Sequence, residues 1–410
     1  MPKLLQVNVS SNWGSTGMIA EECNRIARSR GWHTYFAFGR YSNPSESTVI
    51  AGPNSIVDVY EHFLENRLLD NEGLSSRNAT RLLVERIKES QPDIVHLHNI
   101  HDHWLNYKIL FEYLNHTDIM VVWTFHDFWA VTGHCNHFIG FGCNKFESEC
   151  CDCPSLGGHV LPLVKRTKRN FYLKKRLFTD NKSLTIVPVS NWVAKNVRQS
   201  FLKDKEIRVI PNGVDTTVFK PTEGFNHPKI KQDTFVIMAV SSQWKSGAKG
   251  LDDYIAMSKM LKQDEAIVLV GVSKDRLDSL PQKIIGIERT NDQQELASIY
   301  TRANVICSLS TAETFGLSII EGYACGVPAI VYDNTAQPDL ITPHTGFVVP
   351  NKDYRSAYNA IEVIKEKGRA YYKDSCISLA KSQFSKEMCY NKYMELYEEL
   401  FALKQATYKQ

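Results

Sequence analysis

Residues 312–330 read AETFGLSIIEGYACGVPAI, with Glu313 and Glu321 eight positions apart on either side of a Phe-Gly pair. If a helix opens after Gly316, the backbone amides of Phe315, Gly316 and Leu317 can face an oxyanion. Glu321 then lies inside the helix, suited to accepting two hydroxyl hydrogen bonds from a vicinal diol. Glu313 lies ahead of it, beside Thr314. The plainer explanation is one acidic residue before a helix start and another on its wet face. Two further stretches bear on the choice. SSQWKSGAKGLDDYIAM (241–257) sets Lys245 and Lys249 around Gly247, a pair of cations able to neutralise a diphosphate leaving group, although a solvated loop reads the same way. SNWGSTGMIAEE (11–22) supplies Gly14 and Gly17 where a strand gives way to a helix, so that backbone amides can approach an anion. It is not the dinucleotide pattern GxGxxG, and a glycine turn after a strand is often only a turn.

Three clusters could do other chemistry. HLHNIHDHW (96–104) holds four histidines, which suit either a metal or packing and acceptor contacts at a strand end, the second being favoured. GHCNHFIGFGCNKFESECCDCP (133–154) holds five of the ten cysteines. Cys150 and Cys153 form a knuckle-like pair that Cys135 and Cys143 can complete into a closed tetrahedral site for structural zinc, with Cys151, His134 and His137 as spare ligands. Reduced thiols in a packed loop are the alternative. LPLVKRTKRNFYLKKRLF (161–178) interleaves seven Lys/Arg with apolar residues. That pattern suits a helix lying on an anionic membrane surface, the inner leaflet, or a solvated face.

These residues need elements to carry them. At 410 residues the chain is too long for one core and suits two domains. Hydrophobic residues at 43% and charged residues at 23% describe an ordinary folded protein, and a net charge of +3 points to no nucleic-acid partner. The N-terminal apolar run is too short for a secretory signal, and no stretch is long enough to span a membrane, so a cytoplasmic location is expected. Short Val/Ile-rich runs alternate with amphipathic ones, which predicts an α/β protein with two doubly wound, Rossmann-like parallel sheets. Strands are read at 4–10, 34–39, 93–99, 119–125, 184–190 and 207–211, then at 235–241, 266–271, 283–288, 305–310, 328–333 and 346–350. Helices are read at 17–30, 55–70, 77–90 and 191–202, then at 250–262, 292–303, 316–325, 353–366 and 369–383. Residues 212–233, poor in apolar side chains, read as a linker between domains 1–211 and 234–383. Each candidate anion site then falls where a strand passes through a loop into a helix, as in a single nucleotide-sugar site.

ETFGLSIIEGYACGVPAI resembles the paired-glutamate motif of the family-4 retaining glycosyltransferases. AKGLDDYIAM resembles that family's lysine loop, IPNGVD (210–215) its interdomain segment, GSTGMIAEE its N-terminal glycine loop, and TFHDFW (124–129) the strand end that carries a histidine. More narrowly the chain resembles bacterial enzymes that build capsule, exopolysaccharide or O-antigen. The resemblance implies the GT-B fold, with a C-terminal helix at 384–402 packing back on the first domain. It implies that Glu321 holds the ribose of a nucleoside diphosphate sugar. Glu313 would contact the transferred sugar, and Thr314, Phe315 and Gly316 the sugar or diphosphate. Lys249 would neutralise the diphosphate and His126 approach the sugar. An arginine usual in the family is missing, and Lys245 stands in for it, as a point charge without arginine's fork. The resemblance also implies that catalysis needs no divalent metal and that the acceptor glycan is polyprenyl-diphosphate-linked. Two rival activities fit fewer of these residues: a nucleotide-sugar epimerase of related architecture, and a non-catalytic polysaccharide-binding protein.

Overall fold

The computed structural model describes residues 1–154, 161–241, 244 and 247–407, and divides into two compact units: Met1–Ile210 closed by the chain from Tyr390 onward, and Pro211–Cys389. The first unit runs β1 (Lys3–Asn8), α1 (Gly14–Ser29), β2 (His33–Phe38), β3 (Thr48–Ala51), α2 (Ile56–Leu69), α3 (Arg77–Ser90), β4 (Ile94–Leu97), α4 (Tyr107–Leu114), β5 (Met120–Phe125), α5 (Thr167–Asp180), β6 (Leu184–Pro188), α6 (Asn191–Val197) and β7 (Glu206–Ile207). The second runs β8 (Phe235–Val240), α7 (Leu251–Ser258), β9 (Glu265–Val270), α8 (Lys274–Leu277), β10 (Ile284–Ile287), α9 (Gln293–Arg302), β11 (Val305–Ser308), α10 (Leu317–Ala324), β12 (Ala329–Tyr332), β13 (Gly346–Val349), α11 (Tyr354–Lys367) and α12 (Ala370–Gln383), before α13 (Lys386–Thr407).

Both sheets are parallel and doubly wound, in the orders β3-β2-β1-β4-β5-β6-β7 and β10-β9-β8-β11-β12-β13. Interior strands are buried on both faces, IVHL in β4 and EAIVLV in β9, which is why they read as largely apolar runs. Helix starts follow local chemistry: Ser190 caps α6 by accepting from Val193 N at 3.1 Å, and Asp292 caps α9 through Glu295 N at 2.8 Å. In each sheet the winding reverses between two neighbours, β1 and β4 or β8 and β11. The loops leaving such a pair by their carboxyl ends border the crevice where α/β sheets take ligands.

Three short elements fall outside the sequence reading. β3 is an exposed edge strand, α8 is four residues long, and α4 is rich in aromatic residues of modest helix propensity, set by its Asn106 cap. β7 is shorter than the strand read at 207–211, and α1 starts at Gly14 instead of 17. Residues 212–233 contain no helix or long strand, yet they lie along α9: Phe225 N donates to Ser298 O at 3.1 Å and Phe219 is buried. Helix α13 ends in the core of the first unit. Tyr390, Tyr393, Met394, Tyr397 and Leu400 pack with Leu4, Ile19, Ile94 and Val122 there.

Candidate active site

In the second unit the reversal between β8 and β11 brings two loops together. Thr311 N and Ser310 Oγ both donate to Ala248 O, at 2.8 and 3.0 Å. Gly250 lies so close to the second loop that a Cβ there would sit 2.3 Å from Leu309 O, and its φ of +71° is in the left-handed region. Strapped in this way, Lys249 places Nζ 2.5 Å from Glu313 Oε1. The two line one small cavity of about 10 Å³, shared with Ser241, Ser310 and Ser318. Glu313 is held by its backbone, whose N–H donates to Thr335 Oγ1 at 3.1 Å. Gly250→Ala is therefore expected to destabilise the unit by about 2–4 kcal/mol, since strain and a backbone clash add. A Tm shift of a degree or less would show the strap to be slack.

Gly316, at φ +124°, turns the chain into α10, and Ile319 N donates to Gly316 O at 3.0 Å. Glu321 on that helix accepts the Tyr300 hydroxyl at 2.8 Å. Burial raises its pKa to about 7, against the lowering effect of that hydrogen bond. The Phe315 ring is buried, 6.0 Å from that of Phe384, so it is the backbone of this residue that can face a ligand. Thr314 is half-buried. Lys245 lies outside the described residues. Sequence reasoning passed over Arg276, whose guanidinium donates to Trp244 O at 2.6 Å and so brings a cation to the same loop.

In the first unit Gly14, at φ +66°, starts α1, and a Cβ on Gly17 would meet Ser10 Oγ at 2.8 Å, so the helix start is pressed against the loop after β1. Asn8 bridges that loop to the end of β4, donating to Ser10 O at 2.7 Å and accepting from Asn99 N at 3.1 Å. His126, just past β5, places Nε2 3.0 Å from His98 Nδ1. Burial lowers the pKa of His126 to about 4 and those of His96 and His98 well below the usual imidazole range. His101 behaves oppositely. Burial works against its charge, but Asp127 at 2.8 Å and Asp102 at 3.3 Å outweigh it and hold the imidazolium. His103 pairs with Glu72 at 3.2 Å. The four histidines thus serve separate partners.

Cys135, Cys143, Cys150, Cys151 and Cys153 line one small cavity of about 10 Å³. The Cys135 thiol hydrogen-bonds that of Cys153, Asp152 between the paired cysteines has φ +39°, and Lys145 Nζ donates to Cys151 O and Asp152 O at 2.9 and 3.0 Å. Among the described residues no three His, Cys, Asp or Glu side chains sit at the spacing of a metal shell. The basic stretch 161–178 also differs from its amphipathic reading. Helix α5 begins only at Thr167 and turns Phe171, Leu177 and Phe178 into the core. Lys174 is buried too, donating to Trp129 O and Thr132 O at 2.6 and 3.1 Å. The apolar residues left exposed are Leu161, Leu163, Val164 and Tyr172. No helix among the described residues is long and apolar enough to cross a membrane.

Comparison with known proteins agrees with this architecture. The family model described as Glycosyltransferase Family 4 matches residues 14–218, and that described as Glycosyl transferases group 1 matches residues 220–380. A putative colanic acid biosynthesis glycosyl transferase, WcaC of Escherichia coli K12, is 22% identical over 364 residues, covering 85% of this chain and 88% of that protein. The O-antigen chain mannosyltransferase RfbU of Salmonella typhimurium is 26% identical over 192 residues, covering 44% of this chain and 52% of that one. Among solved structures, sucrose-phosphate synthase from Thermosynechococcus elongatus superposes with a TM-score of 0.72 at 18% identity, covering 98% of this chain and 100% of that one. HepE of Anabaena in complex with UDP-glucose gives 0.64 at 14%, covering 97% and 99%. The fold is GT-B, and the chain belongs to Glycosyltransferase Family 4.

Proposed function

We propose that this glycosyltransferase moves a sugar, with retention, from a nucleoside diphosphate donor to a lipid-linked glycan in surface-polysaccharide assembly. The observation that carries the reading is the Lys249–Glu313 contact, built by the loops that leave the two central strands of the second sheet. A donor diphosphate would draw Lys249 off Glu313 and free that carboxylate for hydroxyls of the sugar. Glu321 would accept the ribose hydroxyls, and the amides at Gly316 would face the phosphates. As the bond from the anomeric carbon to the phosphate oxygen breaks, Lys249 stabilises the growing negative charge. The acceptor oxygen bonds to the anomeric carbon on the same face, and its proton passes to the departing phosphate. The relatives named for colanic acid biosynthesis and for the O-antigen chain support the polysaccharide setting. Screening UDP- and GDP-sugars for thermal stabilisation, then for transfer to a polyprenyl-diphosphate glycan, tests the proposal. A product of inverted configuration, or an epimer formed from donor alone, would overturn it.

Two finer parts have their own support. The exposed residues Ile56, Val57, Tyr60, Leu64 and Leu68 of α2 run into Leu163, because Leu163 N donates to Arg67 O at 2.9 Å and Val164 N to Leu68 O at 3.1 Å. Beside them Lys165 and Lys168 are exposed. This apolar ridge with a basic flank suits the anionic inner leaflet, where a lipid-linked acceptor would lie. Flotation with vesicles containing phosphatidylglycerol is expected to carry the protein, and Leu64→Asp with Leu163→Asp to reduce that at least tenfold; equal binding by the double variant would refute this face. The second part is structural zinc on Cys135, Cys143, Cys150 and Cys153, supported by their common cavity. Because the thiols do not stand at metal spacing, an ion would have to draw the loop inward. Metal analysis of the purified chain decides between one zinc per chain and reduced thiols.

A further inference from the structure

Two histidines of the first unit, His126 and His98, form with Gln6 a directional hydrogen-bonded chain that ends on Tyr397 of α13. Gln6 of β1 donates its amide nitrogen to the Tyr397 hydroxyl at 3.4 Å, which leaves its Oε1 facing His98 Nε2 at 2.8 Å. An amide oxygen only accepts, so His98 carries its proton on Nε2. His98 is buried and neutral, and a neutral imidazole protonated at Nε2 has a bare Nδ1. That nitrogen is the one 3.0 Å from His126 Nε2, so His126 donates from Nε2. The Tyr397 hydroxyl also lies 2.6 Å from His96 Nδ1, His96 Nε2 lies 2.8 Å from Thr124 Oγ1, and Thr124 Oγ1 lies 3.0 Å from the Tyr393 hydroxyl.

The geometry points to a tautomer relay in which Gln6 and His98 are positioning residues that hold His126 as the Nε2–H form, so that His126 meets the donor sugar as an acceptor through Nδ1. This rests on the reading of His126 as a contact of the donor sugar. A bare ring nitrogen accepts from a sugar hydroxyl but repels a phosphate oxygen, which has no proton to give. The relay therefore assigns His126 to a sugar hydroxyl of the donor and not to its phosphates.

Long-range 1H–15N correlation spectra of the full chain, labelled at histidine, read tautomers directly, with His126 assigned by the signals lost in His126→Gln. Protonated Nε2 and bare Nδ1 at both His98 and His126 is the expected result. Protonated Nδ1 at His126, the pattern produced if the Gln6 amide were rotated by half a turn, overturns the relay. Gln6→Met removes the acceptor oxygen, and both tautomers of His126 should then appear, with kcat about tenfold lower at little changed donor KM. Gln6→Glu keeps an acceptor oxygen and should recover most of that rate; an unchanged tautomer in Gln6→Met, or equal losses in both variants, overturns the role. If the wild-type tautomer is as expected but its Nδ1 resonance ignores saturating UDP- and GDP-sugars, the relay stands and the assignment of His126 to the donor falls.

Discussion

Glu321→Gln is expected to weaken nucleoside diphosphate binding by about 30–100-fold and at the same time raise the Tm of the free protein at pH 8. Both effects come from one buried carboxylate. A charged acceptor of two hydroxyl hydrogen bonds contributes roughly 1.5–3 kcal/mol to each, and a neutral amide much less. The folded state raises the pKa of this group from 4.5 to about 7. Its favourable contribution is therefore complete below pH 4.5 and disappears as pH rises through about 7, where the fold must carry a half-buried anion. A shift of that size corresponds to on the order of 3 kcal/mol. Glutamine keeps an oxygen for the Tyr300 hydroxyl and never ionises, so the gain in Tm should be several degrees at pH 8 and vanish near pH 5. Wild-type affinity for the nucleotide should in turn fall as pH drops through 7. Unchanged binding in Glu321→Gln would remove this residue from the site.

Lys249→Met should lower kcat by about 100- to 1,000-fold, the cost of removing one preorganised group that stabilises charge developing in the transition state. The Tm should hardly move. Side-chain exposures of 35% for Lys249 and 24% for Glu313 make their contact a partly solvated one, worth under about 1 kcal/mol to stability. Methionine preserves the length of the stem, so the comparison isolates the charge. Lys249→Arg should restore part of the rate, limited by the fit of a planar fork in a cavity shaped for an ammonium. A Lys249→Met enzyme within threefold of wild type would mean that another cation, such as Arg276, which donates to Trp244 O of that loop, serves the leaving group.

What could be read in advance was what repeats locally. Continuous apolar runs mark the buried parallel strands, and glycines followed by amphipathic segments mark the turns into α1, α7 and α10. Glu313, Lys249 and Glu321 stand out because their spacing around Gly316 and Gly250 is short-range. Tertiary partners leave no such mark. Tyr300 is an ordinary core tyrosine until α9 packs beside α10, and Gln6 sits in an apolar strand where its amide looks like an accident. The interleaved apolar residues of α5 match a lipid-facing helix as well as a core-facing one, and only the packing of Phe171 and Phe178 decides. The exposed ridge on α2 was missed for the converse reason: periodicity shows which residues share a face, not whether anything covers it.

Asp93 accepts from the backbone nitrogen of Lys3 and from the side chain of Lys404, both at 2.9 Å, so one carboxylate clasps β1 to α13, two segments far apart in sequence. For a chain made in one direction this imposes an order of events. The half that leaves the ribosome first must wait, its hydrophobic interior missing Tyr390 to Leu400, until everything after it has been synthesised. The second unit, complete by Cys389, can close ahead of it, so the nascent protein finishes its second unit before its first.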